Sequence, residues 1–481
     1  MNDTPTTGTD PVCSLPMFTC TEPEVIAREK AELQALEGAG MLRRWRWYFS
    51  KTGPGFLQSA FTLGCGTAIA SLYIGTHYQY RLLWVQPLAM VIGIIMLMAA
   101  SYQTLSTGIR PYDAMRRFLH PSLALVWVIG TLIATIVWHL PQYAIAAGVS
   151  EDMIAAVTGW EPAGTSRTVL LLGIGLFFLA VSTAITWSYG RGWRGIRLYE
   201  RLLKSLVFMI IISFGIVFIR SALAGKIEWG KLICGFLPLY IPTDPEGVTE
   251  VIAAFSAAVG INMTFLFGYT LLARGWGKEH CGLSRFDLVT GMFIPYAIVT
   301  SLIVIAAGCT IYGTEFASRD ITPAQAGVLI GATGVGTVVG RIIFGFGIIG
   351  MALSTITLHM LVSGFAVCEM LGVEPVGWNY RLGCLIPAPA FLGVVLWKYM
   401  GTWIALPTSA FCLLLLPIPY VAWFVLHNSS RYLGREKPSG RAALVWNVLM
   451  LVSIVITFTS VVFLIYQKWT PLMELFGKMF S

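Results

Sequence analysis

Small polar residues interrupt two of the apolar stretches of this sequence, and they are the residues best placed to bind something. The first stretch carries Gly64-Cys65-Gly66-Thr67 in its middle, and the second carries Gly260, Asn262 and Thr264. Each glycine weakens a helix by about 1 kcal/mol, and a helix broken within a bilayer is tolerated where it lines a site or a cavity. Close helix packing through the glycines, and an interhelical hydrogen bond from Asn262, explain the same residues. The pattern therefore predicts a binding site or tight packing at mid-membrane depth.

Long apolar runs must position these residues. Of the 481 residues, 56% are hydrophobic and 12% are charged, whereas soluble domains carry about 25% charged residues. Runs of about 20 apolar residues recur along the chain, which predicts an all-α integral membrane protein of about eleven spans. Their predicted centres are Gly64, Ile94, Ile133, Leu176, Ile211, Asn262, Val304, Thr355, Leu392, Leu413 and Ile454.

The basic residues predict the orientation of the chain. With the N-terminus in the cytoplasm, the inside segments hold about 22 of the 32 Lys and Arg residues, as the positive-inside rule requires. An odd number of spans then places the C-terminus outside. The net charge of +8 fits contact with anionic lipid rather than with nucleic acid. We expect a polar cytoplasmic segment with a basic and aromatic interfacial stretch at 1–52, a transmembrane domain at 53–466 and a short tail at 467–481, in the cell (inner or plasma) membrane.

The two interruptions lie five spans apart. This spacing predicts two inverted repeats, spans one to five against spans six to ten, with a site at the interface between the repeats. An enzyme is not expected, because no pair of nucleophile and base, metal-ligand cluster or phosphate-binding loop is visible in the sequence. No cofactor is predicted, and the oligomeric state is left open.

A series of short motifs follows in order from about Gly53 to about Tyr466. They are Gly53-Pro54-Gly55-Phe56-Leu57, Ser59, residues 75–80, Leu82-Leu83-Trp84-Val85, Ser354-Thr355-Ile356-Thr357, Gly364, Glu369, Arg381, Ile386-Pro387-Ala388 and Ser429-Ser430-Arg431. Together they resemble the Nramp divalent-metal transporters. The resemblance implies a LeuT-type fold in which helices one and six are unwound at their centres. It also implies a secondary transporter of a metal cation.

The residues that depart from the family pattern are those that bind metal in the family. Where the family has Asp-Pro-Gly-Asn on its first helix, this chain has Gly64-Cys65-Gly66-Thr67, and where it has Met-Pro-His on its sixth, this chain has Gly260-Ile261-Asn262. The tenth-helix glutamine falls on Ser409. The Asp and Glu of the third-helix proton route fall on His139 and Gln142, so proton coupling is doubtful.

The resemblance therefore implies a neutral site. Glu200 and Glu369 lie away from its predicted centre. A metal cation held without a carboxylate by Cys65, Thr67 and Asn262 is one prediction, and a hydrated ion such as magnesium suits it. A small neutral or zwitterionic organic solute is another, and a non-transporting sensor or scaffold is a third. His139 and His359 are candidates for a proton relay or for interhelical hydrogen bonds. The predicted substrate-binding residues are Gly64, Cys65, Gly66, Thr67, Gly260, Ile261, Asn262, Thr264 and Ser409, with His139 and Gln142 as a possible proton path.

Overall fold

The computed structural model describes residues 23–36, 38–189, 193–316, 321–332, 336–375, 377–396 and 412–479. Within these ranges every regular element is a helix. The first half of the chain contains α1 (Pro23–Gln34), α2 (Met41–Lys51), α3 (Pro54–Thr62), α4 (Cys65–Tyr78), α5 (Val85–Thr107), α6 (Pro111–Phe118), α7 (Pro121–Thr158), α8 (Gly164–Tyr189), α9 (Trp193–Leu223) and α10 (Trp229–Gly235).

The second half of the described chain is built in the same way. It contains α11 (Pro245–Ala258), α12 (Ile261–Ala273), α13 (Cys281–Asp287), α14 (Ile294–Thr310), α15 (Pro323–Ile330), α16 (Phe344–Leu371), α17 (Gly377–Leu385), α18 (Pro417–His427), α19 (Ser430–Leu433) and α20 (Gly440–Met479). Two π-helical turns, Leu288–Phe293 and Val338–Ile343, run directly into α14 and α16.

Proline and glycine set many of the helix boundaries. Proline stands in the first turn of α3, α6, α7, α11, α15 and α18, where a missing N–H and a fixed φ suit a helix start. The ends of α5, α7 and α16 are followed by Gly108, Gly159 and Gly372 at φ of 67°, 68° and 64°. Glycine adopts this left-handed conformation without the steric penalty of a Cβ atom, which explains why these helices stop there.

The spans agree with the sequence prediction. Eight helical segments of the described chain are long and apolar enough to cross a membrane, and two bent pairs raise the number to ten. The bent pairs are α3 with α4, at 56°, and the helix Cys412–His427 with Ser430–Glu436, at 68°. The remaining predicted centre, Asn262, falls in the short apolar helix α12, which follows α11 after a break.

The broken helices lie among long, continuous ones. The helix α16 packs along α7, and α14 packs along α4. Both α3 and α12 also contact α16, so the two breaks are enclosed by α7 and α16. This arrangement explains why α16 is buried along most of its length, although it is a membrane-spanning segment.

The segment before the first span packs against the membrane helices. In α1, Glu29 forms ion pairs with Lys51 of α2 at 3.0 Å and with Arg197 of α9 at 3.4 Å. In α2, the aromatic residues Trp45 and Phe49 are about half exposed, whereas Tyr48 is buried. The predicted interfacial stretch is therefore a helix with one face against the protein and one exposed aromatic face.

Candidate functional site

The first span is interrupted immediately before Cys65. Helix α3 ends at Thr62, Leu63 has φ −75° and ψ 60°, and Gly64 is extended at φ −107° and ψ −176°. A Cβ atom on Gly64 would lie 2.7 Å from Oγ1 of Thr355 on α16. Glycine is therefore required there because α16 approaches the broken backbone closely. The prediction that the first helix is unwound at its centre is confirmed, with the break at Leu63 and Gly64.

The sixth span is interrupted in the same way. Helix α11 ends at Ala258, and both Val259 (φ −140°, ψ 114°) and Gly260 (φ −91°, ψ 164°) are extended before α12 begins at Ile261. A β-branched valine favours extended backbone over helix. The predicted break at Gly260 is thus confirmed, and Ile261, Asn262 and Thr264 lie in the first turn of the second half-helix.

Threonine hydroxyls join the two breaks and satisfy the carbonyl groups that the breaks release. Thr62 donates its hydroxyl hydrogen to the carbonyl of Ala258 at 2.8 Å, which links the end of α3 to the end of α11. Thr67 donates to the carbonyl of Thr62 at 2.6 Å across the first break. A hydroxyl that donates its one hydrogen keeps its oxygen lone pairs as acceptors. The breaks are therefore surrounded by neutral oxygen atoms with acceptor capacity.

Helix α16 supplies two more hydroxyls to the end of α3. Ser354 donates to the carbonyl of Ala60 at 2.9 Å. The hydroxyl of Thr355 lies 2.9 Å from the carbonyl of Met351 and 3.4 Å from that of Phe61. Buried carbonyls within a bilayer need such partners because lipid offers none. These hydroxyls therefore give the carbonyls at the end of α3 partners within the protein.

Neutral acceptors cover the start of each second half-helix. Gln142 of α7 accepts the backbone N–H of Cys65 through Oε1 at 3.1 Å. The amide oxygen of Asn262 accepts the N–H of Met263 at 3.2 Å, and the N–H of Gly260 points to the sulfur of Met263 at 3.5 Å. The N-terminus of a helix attracts anions through its free N–H groups. Capping by amide and thioether groups reduces that attraction without introducing a charge.

A small cavity of about 50 Å³ lies where the two breaks meet. A water molecule needs roughly 10–15 Å³ of such space, so the cavity has room for a few waters or for an ion that retains some of its waters. Small-molecule pockets are typically about 300–1,000 Å³. The residues that line it are Phe61, Thr62, Gly64, Gly66, Thr67, Trp138, Gln142, Gly260, Asn262, Met263, Thr355 and His359.

The sequence prediction and this wall overlap only in part. Among the predicted site residues, Gly64, Gly66, Thr67, Gln142, Gly260 and Asn262 line the cavity. Cys65, Ile261, Thr264 and His139 are buried beside it and do not belong to its wall. The hydroxyl of Thr264 instead donates to the carbonyl of Ile261 and accepts the indole N–H of Trp127 at 3.4 Å. The predicted Ser409 lies outside the described residues.

Sequence reasoning missed Phe61, Trp138, Met263 and Thr355 as wall residues. Trp138 and Thr355 come from α7 and α16, and no local pattern indicates that these helices approach the breaks. Met263 directly follows the predicted Asn262 and brings a thioether into the wall, although the family's methionine position holds Gly260 in this chain. Its position in the first turn of α12 was the one available signal.

Two histidines meet beside the cavity. His139 of α7 and His359 of α16 are fully or almost fully buried, and their ring centroids lie 5.5 Å apart in an edge-to-face arrangement. Both ring nitrogens of His139 and Nδ1 of His359 lack a hydrogen-bond partner among the described residues. A buried polar atom without a partner costs about 1–3 kcal/mol. Other buried polar atoms of the described chain also lack a partner, including both amide atoms of Gln58, but here three such atoms meet in one contact beside a cavity.

The acidic side chains near the spans are engaged elsewhere. Glu369 of α16 binds Arg110 at 2.8 Å and the hydroxyl of Tyr269 at 2.9 Å. Asp287 accepts the N–H of Gly55 at 2.7 Å at the start of α3. The described residues contain no group of three or more His, Cys, Asp and Glu side chains close enough to share a metal ion. An ion in the cavity would therefore meet hydroxyl, amide and carbonyl oxygens, a thioether and an imidazole.

Comparisons with known proteins agree with this architecture. The family model described as natural resistance-associated macrophage protein-like (Nramp) matches residues 55–466. A divalent metal cation transporter from Nostoc sp. is 23% identical over 442 residues, which cover 89% of this chain and 94% of that protein. Another from Chromohalobacter salexigens is 23% identical over 365 residues, 74% of this chain and 78% of that protein.

Two solved structures have a similar fold. The manganese transporter of Eremococcus coleocola, in complex with an aromatic bis-isothiourea substituted compound, superposes with a TM-score of 0.68 at 15% identity, over 88% of each chain. MhsT in complex with L-phenylalanine gives a TM-score of 0.55 at 14% identity, over 82% of this chain and 98% of that one. The predicted LeuT-type fold is confirmed by these likenesses and by the two broken helices.

Proposed function

The chain belongs to the Nramp family, and we propose that it is a secondary membrane transporter that moves a metal cation through a site without a carboxylate. The observation that carries this proposal is the cavity at the junction of the two helix breaks. Its wall offers the neutral oxygens of Thr62, Thr67, Asn262 and Thr355. Relatives of this chain are named divalent metal cation transporters, which supports a cation as the cargo.

Neutral oxygens hold a cation weakly, which suits a carrier. Hydroxyl, carbonyl and water oxygens are the ligands that Mg²⁺, Ca²⁺ and Mn²⁺ accept, and Mg²⁺ gives up its waters reluctantly. Without a carboxylate the ion keeps part of its hydration shell, for which the cavity has room. Within the wall, we assign ion contacts to Thr67 and Asn262. We assign to Cys65 a backbone role through its N–H bond to Gln142.

The organic solute that the sequence left open is less well supported. The cavity of about 50 Å³ is much smaller than a typical small-molecule pocket of roughly 300–1,000 Å³. In addition, Gln142 covers the N–H of Cys65, which would otherwise help to bind a carboxylate group. A metal cation fits both observations.

We propose that transport does not require a proton gradient. The two third-helix positions hold His139 and Gln142 instead of acids. The amide of Gln142 does not titrate and is already used at the helix break. The cytoplasmic N-terminus and the outer C-terminus remain predictions from the positions of the basic residues.

The test is uptake of Mn²⁺ and Mg²⁺ into proteoliposomes, with Asn262→Ala as the site variant. Loss of the amide removes one wall oxygen and leaves the N–H of Met263 with only the carbonyl of Gly260, at 3.1 Å, as its acceptor. We expect at least a tenfold fall in uptake for this variant, with wild-type uptake unchanged when the proton gradient is collapsed.

Asn447→Ala is the matched control, because it removes an amide that pairs with Asn428 on peripheral helices. Its uptake should stay within about twofold of wild type. Absence of metal uptake by the wild type, or equal uptake by Asn262→Ala and wild type, would contradict the proposal. Uptake that stops when the proton gradient is removed would contradict its uncoupled form.

A further inference from the structure

Four aromatic rings form a row beside the cavity. Tyr143, His139, His359 and Phe61 make successive edge-to-face contacts, with ring centroids 5.1, 5.5 and 5.1 Å apart. The two histidines occupy the middle of the row, and His359 also lines the cavity. Phe61 and Tyr143 stand at the two ends of the row, and each contacts the neighbouring histidine through its ring.

The nitrogen atoms of this row are available for a ligand. Nδ1 and Nε2 of His139, Nδ1 of His359 and the hydroxyl of Tyr143 are buried and have no hydrogen-bond partner among the described residues. Buried polar groups in proteins almost always have a partner, which is protein, water or an ion. Intramembrane histidines are also functional candidates by default. A bound ligand between the rings would explain why two polar rings are kept in an apolar row.

The separation of the rings suits one shared metal ion. Two imidazoles that bind one ion at about 2.0–2.1 Å and at a tetrahedral angle have ring centroids about 5 Å apart. The observed separation is 5.5 Å, and the rings are contributed by two different helices, α7 and α16. To bind one ion through a nitrogen of each ring, the rings must turn out of their edge-to-face contact, in which their planes meet at 66°.

We propose that His139 and His359 together form a binding site for a divalent transition-metal ion, adjoining the cavity at the two helix breaks. Imidazole suits Zn²⁺, Co²⁺ and Ni²⁺ far better than it suits Mg²⁺ or Ca²⁺. Water and the wall groups of the cavity, including the thioether of Met263, complete the coordination. This proposal depends on the proposed function only for the path by which an ion reaches the two histidines. Binding at the histidines can be measured without transport.

The experiment is a titration of the full-length purified protein in lipid nanodiscs with Zn²⁺, followed by heat flow, and with Co²⁺, followed by visible absorption. We expect saturable Zn²⁺ binding that His139→Ala and His359→Ala each weaken at least tenfold. The Co²⁺ spectrum of the wild type should show nitrogen ligation, and both variants should lose it.

His427→Ala is the matched control. His427 is also buried, also packs between aromatic rings (Tyr102 and Trp446) and also has a ring nitrogen without a partner, but it does not line the cavity. Zn²⁺ affinity in this variant should stay within about twofold of wild type. His359→Gln keeps a polar side chain of similar size and serves as a second variant if His359→Ala is misfolded, which its melting curve without metal would reveal.

Unchanged Zn²⁺ affinity in both histidine variants would overturn the proposal. So would a lower melting temperature of the variants without loss of Zn²⁺ binding, since this is the result expected if the pair holds only a water molecule. The result of this binding experiment can be distinguished from the result of the uptake experiment. Uptake of Mn²⁺ without histidine-dependent Zn²⁺ binding would support metal transport and contradict the metal site at His139 and His359. Histidine-dependent binding without any uptake would support the metal site and contradict metal transport.

Discussion

The two ends of helix α3 lie in opposite environments. At its start, buried charges hold the backbone, and we name this region the charged end, formed by Glu29, Lys51, Glu200, Arg274 and Asp287. Arg274 and Glu200 are almost fully buried and pair at 3.1 Å, and Arg274 also donates to the carbonyl of Lys51 at 2.9 Å. At the other end of α3, the described hydrogen bonds around the cavity come from hydroxyls, amides and the thioether of Met263, and none of them involves a carboxylate or a basic side chain.

The difference separates two tasks. A buried ion pair is costly to break, because the partner left behind keeps an uncompensated charge, whereas a neutral hydrogen bond contributes only about 1 kcal/mol. The charged end therefore fixes where the broken helix starts. The wall of the cavity, which we name the neutral centre, can change its contacts at small cost. A carrier that binds and releases an ion needs such a centre, and it needs a firm attachment elsewhere.

The largest expected effect comes from breaking the charged end. Arg274→Ala leaves Glu200 buried without its partner, and we expect a loss of about 3–5 kcal/mol of unfolding free energy. Unfolding in detergent by denaturant measures this loss. Glu228→Gln, which breaks the exposed pair with Lys231, is the control and should leave unfolding unchanged. Equal stability of the two variants would remove the distinction between the regions.

A smaller effect on stability, joined to a large one on transport, is expected at the neutral centre. A Cβ atom on Gly66 would lie 2.8 Å from the ring of Trp138, so Gly66→Ala should push this ring and cost about 1–3 kcal/mol. Because both residues line the cavity, we expect uptake to fall at least tenfold.

Gly148→Ala is the control for this glycine. Gly148 lies within α7, and a Cβ atom there would meet nothing within 4 Å. Uptake and melting temperature should equal those of the wild type or exceed them slightly. If Gly66→Ala transports as well as Gly148→Ala does, the cavity is not on the path of the cargo.

The smallest effect concerns pH at the attachment of α1. Hydrogen bonds from the indole of Trp47 at 3.0 Å and from Lys51 hold the pKa of the Glu32 carboxyl below its usual range. Since the folded pKa is the lower one, this contribution to stability is present above the unfolded value of about 4.3 and is lost as the pH falls through the folded pKa. The melting temperatures of wild type and Glu32→Gln should differ slightly at pH 7 and converge at the acid end of the titration, where the carboxyl is protonated in both the folded and the unfolded protein. A difference that persists there would argue against an ionised Glu32.

Local sequence signals predicted the breaks but not the full wall of the cavity. Gly64 and Gly260 stand at the breaks because glycine in an apolar run weakens a helix, which is a property of the segment itself. Gly66, in contrast, is helical, and its small size serves the close approach of Trp138. That reason depends on a helix more than 70 residues away, so the spacing of the two glycines could not reveal it.

The rest of the site depends on contacts between helices. His359 and Thr355 were visible as polar residues within a span, but the side of α16 that faces the breaks is fixed only by packing against α7 and α3. For the same reason Cys65, central to the motif, turned out to contribute its backbone N–H to Gln142 and to keep its thiol out of the wall. A pattern of residue types identifies a segment, and packing decides which atoms are presented.

The absence of an acidic side chain from the described wall of the cavity has an electrical consequence. The empty site presents no fixed negative charge to the transmembrane field, so a divalent ion bound there adds its entire charge to the moving assembly. Each elementary charge that crosses 100 mV contributes about 2.3 kcal/mol, and a divalent ion therefore contributes roughly 4.6 kcal/mol. Under the proposed function, voltage would therefore act more strongly on the loaded form than on the empty one. If the proposed carrier is uncoupled from protons, an inside-negative membrane potential would favour inward movement of the loaded form.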